Sequence, residues 1–134
     1  MTNISKRPLA KQQEEKLFVQ LSKFLILGST IQTQRVLTDL LGYEERVMLA
    51  KRLAAIIMLV QGQSLYRIAQ TLHVSSATVR TLASRLEAGE FASITKMLVK
   101  DKHTFIHLLD AIDSILHLGG LLPHYSGLDR YRSL

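Results

Sequence analysis

The stretch that decides the fold is residues 65–84, LYRIAQTLHVSSATVRTLAS, in which two short helical patterns flank a turn. Ser64 and Ser75 stand where each helix would begin, and serine is a preferred N-terminal cap. Small or apolar residues occupy the positions at which two steeply crossed helices and their turn would touch. These residues are Ile68, Ala69, Leu72, Val74, Val79 and Leu82. The spacing predicts a helix-turn-helix.

The turn of this motif contains one departure from the usual pattern. His73 occupies the position at which the backbone is usually left-handed and at which glycine is the usual residue. Histidine is among the non-glycine residues that tolerate this conformation, so the motif remains compatible with it. The alternative interpretation is an ordinary helical hairpin inside a bundle, since patterns of this length also occur by chance.

The outward face of the second helix favours DNA binding over the bundle interpretation. It combines small polar side chains with one arginine and carries neither an acidic nor a bulky apolar residue. Small polar side chains let a helix enter the major groove, and arginine can donate two hydrogen bonds to guanine. The residues expected to meet the groove are Ser75, Ser76, Ala77, Arg80, Thr81 and Ser84.

The positive charge of the chain is concentrated around the same motif. The net charge is +6, with 17 lysines and arginines against 11 acidic residues. Residues 46–86 contain six basic side chains and no acidic one, namely Arg46, Lys51, Arg52, Arg67, Arg80 and Arg85. Such a segment is typical of proteins that bind a polyanion, although six solvated cations could also serve solubility alone. Within it, we expect Arg67, Arg85 and Lys51 to contact phosphate groups.

Apolar residues recur at helical spacing over most of the chain, which predicts an all-α protein. The first helical pattern runs from Pro8 to Gly28. The third, from Glu44 to Gln61, is apolar around most of its circumference, so this helix should lie in the centre of the domain or in a dimer core.

The domain organisation follows from where the helical patterns stop. We expect a single helical domain over residues 1–120 and a C-terminal tail over residues 121–134. The tail contains Pro123 and Gly127 and shows no sustained periodicity.

Composition excludes several classes of protein. The chain has no cysteine, which rules out disulfides, thiolate metal sites and cysteine nucleophiles. Its longest unbroken apolar run, Leu53–Val60, is far shorter than the roughly 18 residues that a spanning helix needs. The N-terminal segment is polar and lacks the apolar core of a signal peptide. We therefore expect a cytoplasmic protein with no membrane association.

Residues 43–89 resemble the tryptophan repressor family. The shared features are the acidic start at Glu44 and Glu45, the pair Lys51-Arg52 before an apolar run, Gly62, and the sequence SATV at residues 76–79. The resemblance implies an all-helical, intertwined homodimer whose N-terminal helices interlock and whose two recognition helices reach successive major grooves. It also favours a transcriptional repressor. The segment from about Lys100 onward lies beyond the usual end of the family.

The resemblance implies a site for a small effector as well. In the family one arginine precedes the motif and a second lies late in the recognition helix, and together they hold tryptophan. Arg52 matches the first position, whereas Thr81 stands at the second. Arg52 and Thr81 are thus candidate ligand-binding residues, but we expect any effector to differ from tryptophan.

Two other functions remain open from the sequence. The motif could have kept its shape in a helical module that binds protein rather than DNA. A polar stripe near the C-terminus could instead hold a divalent cation in a metal-dependent enzyme, because its histidines are spaced by one helical turn. It consists of His103, His107, Asp110, Ser114 and His117. A solvated polar face explains this stripe equally simply, and we expect no catalytic residue, no metal and no cofactor.

Overall fold

The structure is a computed structural model that describes residues 8–118. This range is all-helical and contains no strand, which confirms the predicted all-α class. The helices are α1 (Lys11–Leu25), α2 (Thr30–Leu40), α3 (Tyr43–Val60), α4 (Leu65–Leu72), α5 (Ser76–Glu87), α6 (Ala92–Lys100) and α7 (Lys102–Leu118). None of the described helices is both long enough and apolar enough to cross a membrane. The predicted tail, residues 121–134, lies outside the described residues.

Short polar side chains cap the start of four of the described helices. Ser29, Ser64 and Ser75 each accept a hydrogen bond from the backbone N–H three residues later, which satisfies one free donor of the first turn. Asp101 does the same for α7, because its carboxylate accepts from the Thr104 N–H at 3.1 Å and from the Thr104 hydroxyl at 2.8 Å.

The first helix is shorter at both ends than the predicted span from Pro8 to Gly28. It begins at Lys11, where the Ala10 N–H donates to the Gln13 side chain at 3.2 Å. It ends at Leu25, whose carbonyl oxygen accepts a hydrogen bond from the Thr33 hydroxyl on α2 at 2.8 Å. Because this bond supplies a partner for a terminal carbonyl, the chain can leave the helix before it reaches the glycine.

Three helices end on a residue with left-handed backbone. Gly62 follows α3 with φ 79°, His73 follows α4 with φ 53°, and Gly89 follows α5 with φ 80°. At each end, a backbone N–H reaches back to a carbonyl five residues earlier, as in Val74 to Ala69 at 3.2 Å. The left-handed conformation expected at the turn position of His73 is confirmed.

The chain divides into two compact units, Met1–Leu49 and Ala50–Leu134, with the boundary inside α3. In the described part of the first unit no residue is buried, and large apolar side chains of α1 and the turn after it are exposed. Phe18 is 68% exposed and Ile26 is 81% exposed. Between α1 and α2 lies an open depression of about 320 Å³, lined partly by Phe24, Leu27 and Val36.

The second unit contains the hydrophobic core. Four consecutive residues in the C-terminal half of α3, Ala55–Met58, are almost fully buried, as the apolar circumference of this helix predicts. Helices α4 to α7 each contribute one to three side chains to the same cluster, together with Phe91 before α6. They are Ile68, Ala69 and Leu72 of α4, Val79 and Leu82 of α5, Phe91 before α6, Leu98 of α6, and Leu109 and Ile112 of α7. The segment beyond Lys100 therefore takes part in the core that supports α4 and α5.

Candidate nucleic-acid interface

Helices α4 and α5 pack directly on each other and are joined by the three residues 73–75. The predicted contact residues hold this pair together: Ile68 and Val79 are fully buried, and Val74 is half-buried in the turn. Ala69, at 8% exposure, provides the small side chain at the helix contact. The structure thus has the two helices, the short turn and the shared core that the motif requires.

A lysine from α3 fixes the turn between the two helices. The Lys51 ammonium donates a hydrogen bond to the carbonyl oxygen of His73 at 3.3 Å. This carbonyl follows the last turn of α4, where unpaired carbonyl groups favour a nearby positive charge. The bond spans 22 residues, and the sequence pattern alone held no signal for it.

The outward face of α5 has the composition that the sequence predicts. The residues on it are all exposed, namely Ser76, Ala77, Arg80, Thr81 and Ser84. Ser75 is engaged at the start of the helix, where its hydroxyl lies 2.8 Å from the Thr78 hydroxyl and accepts the Thr78 N–H at 3.1 Å. The helix has no acidic residue before Glu87. The positive end of the helix and the small side chains of its first turn are therefore open to an anionic partner.

Arg80 and Thr81 differ in how their polar groups are used. Arg80 makes no hydrogen bond and no ion pair with any described residue, so its guanidinium is open to a ligand. The Thr81 hydroxyl instead donates to the Ala77 carbonyl oxygen at 3.0 Å within α5. Arginine is thus the strongest donor on this face, and the threonine proton is already engaged.

The cations expected to contact phosphate all have partners within the chain. The Arg67 guanidinium donates to the Gln63 side chain at 3.0 Å and is half-buried. Arg85 pairs with Glu90 at 3.3 Å, and its guanidinium carbon lies 4.8 Å from the centre of the Phe91 ring. Lys51 is bound to the turn at His73. Phosphate binding by these three residues stays a prediction. To contact a phosphate group, each side chain would have to add that contact to its present hydrogen bond or ion pair, or give up the present one.

The two candidate ligand-binding residues lie on different helices of the second unit. Arg52 is exposed on α3 and has no hydrogen-bond partner among residues 8–118. Thr81 is exposed on α5 and uses its hydroxyl within the helix. Threonine has no positive charge, so it cannot pair with a carboxylate as an arginine at this position would.

The polar stripe of α7 begins with two histidines in contact. The rings of His103 and His107 lie edge to face with their centroids 4.4 Å apart, and Asp110 is exposed further along the helix. The side chain of His117 lies outside the described residues. Within the described part of the chain, no group of three or more histidine, cysteine or acidic side chains is placed to hold a metal ion.

The carboxyl group of Asp101, which precedes α7, has a pKa below its ordinary value. The Thr104 N–H and then the Thr104 hydroxyl donate to the carboxylate, which stabilises the charged form and lowers the pKa. This group starts α7, so its charge state affects the helix that follows the motif rather than the face of α5.

Comparisons with protein-family models, with curated proteins and with solved structures found no match to this chain. The interpretation of the site therefore depends on its own residues.

Proposed function

We propose that the protein is a sequence-specific, DNA-binding transcriptional regulator that places α5 in the major groove. The observation that carries this proposal is the exposed face of α5, where Arg80 lies among small side chains and has no partner among residues 8–118. The lack of any acidic residue between 46 and 86 supports it, because an acidic residue near the groove would repel phosphate. In this proposal, α4 crosses the backbone and α5 acts as the recognition helix.

We also propose that the regulator is a homodimer with a tryptophan repressor-like arrangement. The exposed apolar surface of α1 and of the turn after it supports this part, because a second copy would cover it. A two-fold dimer would place two copies of α5 on two half-sites separated by about one turn of the duplex. We propose further that this regulator represses transcription and is located in the cytoplasm. Any effector that it binds should differ from tryptophan.

The second candidate function is a helical module that binds another protein. The same exposed apolar side chains of α1 favour it, since surfaces of this kind mark protein interaction sites. If the protein is such a module, binding to its partner should not depend on Arg80. The two candidates therefore differ in how binding depends on Arg80 and on salt.

The test is a selection of bound sequences from random DNA duplexes, followed by titration of the selected duplex and a scrambled one. A DNA-binding protein should prefer the selected duplex, and its affinity should fall steeply as salt is raised from about 50 to 200 mM. Arg80→Ala should reduce the preference, with Ser93→Ala on α6 as the control substitution outside the motif. Equal binding to both duplexes, or no binding, would favour the protein-binding module.

A further inference from the structure

The way in which Thr81 is held changes what α5 can read. Its hydroxyl proton is donated to the Ala77 carbonyl oxygen at 3.0 Å, so a partner can meet the methyl group, or the hydroxyl oxygen as an acceptor, but not the hydroxyl as a donor. Ala77 lies one helical turn earlier on the same side of the helix and also ends in a methyl group. Both residues are exposed.

Arg80 lies beside this pair of methyl groups. Ala77, Arg80 and Thr81 lie within five consecutive residues, a rise of about 6 Å along the helix axis. Successive base pairs are about 3.4 Å apart, so the three side chains would face neighbouring base pairs. The face thus combines one strong two-hydrogen donor with an adjacent apolar surface.

These two chemistries match different bases. In the major groove, guanine offers two acceptors in the plane that a guanidinium fits, and thymine is the base that presents a methyl group. We propose that each half-site contains a guanine bound by Arg80 and a neighbouring thymine whose methyl group packs against Ala77 and Thr81. This inference rests on the proposed DNA binding and specifies the base chemistry that the same site would recognise.

The test removes the methyl group from each side of the contact separately. On the DNA, each thymine of the selected duplex is replaced by deoxyuridine, which lacks only the 5-methyl group. On the protein, Thr81→Val keeps a methyl group and removes the hydroxyl, whereas Thr81→Ser keeps the hydroxyl and removes the methyl group. Thr95→Ser on α6 is the control, since Thr95 also donates its hydroxyl to a helix carbonyl but lies outside the motif.

We expect deoxyuridine in one half-site to weaken binding about fourfold, the value of one buried methyl group, and deoxyuridine in both half-sites to weaken binding of the dimer about fifteenfold. Thr81→Val should bind like the native protein, and Thr81→Ser, which removes the methyl group from both subunits of the dimer, should bind about fifteenfold more weakly and discriminate less between thymine and uracil. Circular dichroism would verify that each variant retains its helical content.

Three results would overturn the inference: a selected site without thymine, no effect of deoxyuridine at any position, or normal binding by Thr81→Ser together with weak binding by Thr81→Val. The last result would mean that the hydroxyl reads the base. A native protein that shows no preference for any duplex would instead overturn the proposed function itself.

Discussion

The ammonium group of Lys51 on α3 lies 3.3 Å from the carbonyl oxygen of His73 and donates a hydrogen bond to it. His73 is the non-glycine residue with positive φ in the described part of the chain, at 53°. The bond therefore holds in place the one turn whose backbone is unfavourable for its side chain. It also connects the central helix of the core to the start of α5.

Replacing His73 by glycine should stabilise the fold. The left-handed conformation costs a residue with a Cβ atom roughly 1–2 kcal/mol, and glycine avoids this cost. Glycine also makes the unfolded chain more flexible, which offsets about 0.4–1 kcal/mol, so we expect a net gain of up to about 1.6 kcal/mol in the free energy of unfolding. Urea denaturation measures it, with His73→Ala as the control that retains the Cβ. A less stable glycine variant would show that the imidazole itself contributes to the fold.

The exposed apolar surface of α1 should form a dimer contact. Phe18 is 68% exposed, and a charge at this position would have to be buried in the contact. We expect light scattering to show a dimer for the native protein at micromolar concentration and a monomer for Phe18→Glu. Gln12→Glu, which adds the same charge to an exposed position of the same helix, should stay dimeric. A native monomer would remove the expectation of two half-sites.

Arg80 and Arg85 should respond differently to substitution by alanine. Arg80 has no partner in the described chain, so Arg80→Ala should leave stability unchanged and weaken binding to the selected duplex by about 1–3 kcal/mol. Arg85 is paired with Glu90 and lies over Phe91, so Arg85→Ala should lower the free energy of unfolding by roughly 0.5–1 kcal/mol.

Binding data for the same two variants complete this comparison. If Arg85 also reaches phosphate, Arg85→Ala should weaken binding to selected and scrambled duplexes equally and reduce the salt slope by about one unit. Unchanged stability of Arg85→Ala would contradict the contribution of its contacts with Glu90 and Phe91.

Tryptophan should have little effect on DNA binding. Thr81 stands where the resemblance expects the second arginine, and its hydroxyl is used within α5. A carboxylate ligand would therefore lack one of its two positive partners. Titration of the selected duplex with and without tryptophan measures this. A gain of tenfold, about 1.4 kcal/mol, would contradict the prediction.

The start of α7 should make stability depend on acid pH. Hydrogen bonds from Thr104 lower the pKa of Asp101 in the folded protein, so its ionised form favours folding. This contribution is complete above the ordinary pKa of an aspartate, near 4, and is lost as the pH falls through the lowered value. Thermal unfolding at pH 7, 5 and 3 should show a smaller acid loss for Asp101→Asn than for the native protein. Asp110→Asn, on the exposed side of the same helix, is the control, and equal acid losses in all three proteins would contradict the prediction.

The sequence predicted the parts of the fold that depend on neighbouring residues. The caps at Ser64 and Ser75 could be identified because each hydroxyl and its N–H partner are three residues apart. The early end of α1 could not, since the partner of its last carbonyl is Thr33 on the next helix.

The same distinction applies to the candidate site. The exposed residues of α5 follow from helical periodicity, which places Ser76, Arg80 and Ser84 on one side. The partner of Lys51 depends on tertiary packing. For Arg85, the pattern indicated a cation near the end of a helix, but it did not indicate that Gly89 turns the chain back so that Glu90 and Phe91 meet it.

The burial of Leu109 and Ile112 limits how far the protein can be trimmed for experiments. Each of these side chains contributes roughly 1.5–3 kcal/mol through its burial, and both share a cluster with the residues that support α5. A fragment cut after Lys100 would leave Leu98 and its neighbours open to water and prone to aggregation. A minimal fragment for testing DNA binding should therefore be cut no earlier than the turn of α7 that contains Ile112.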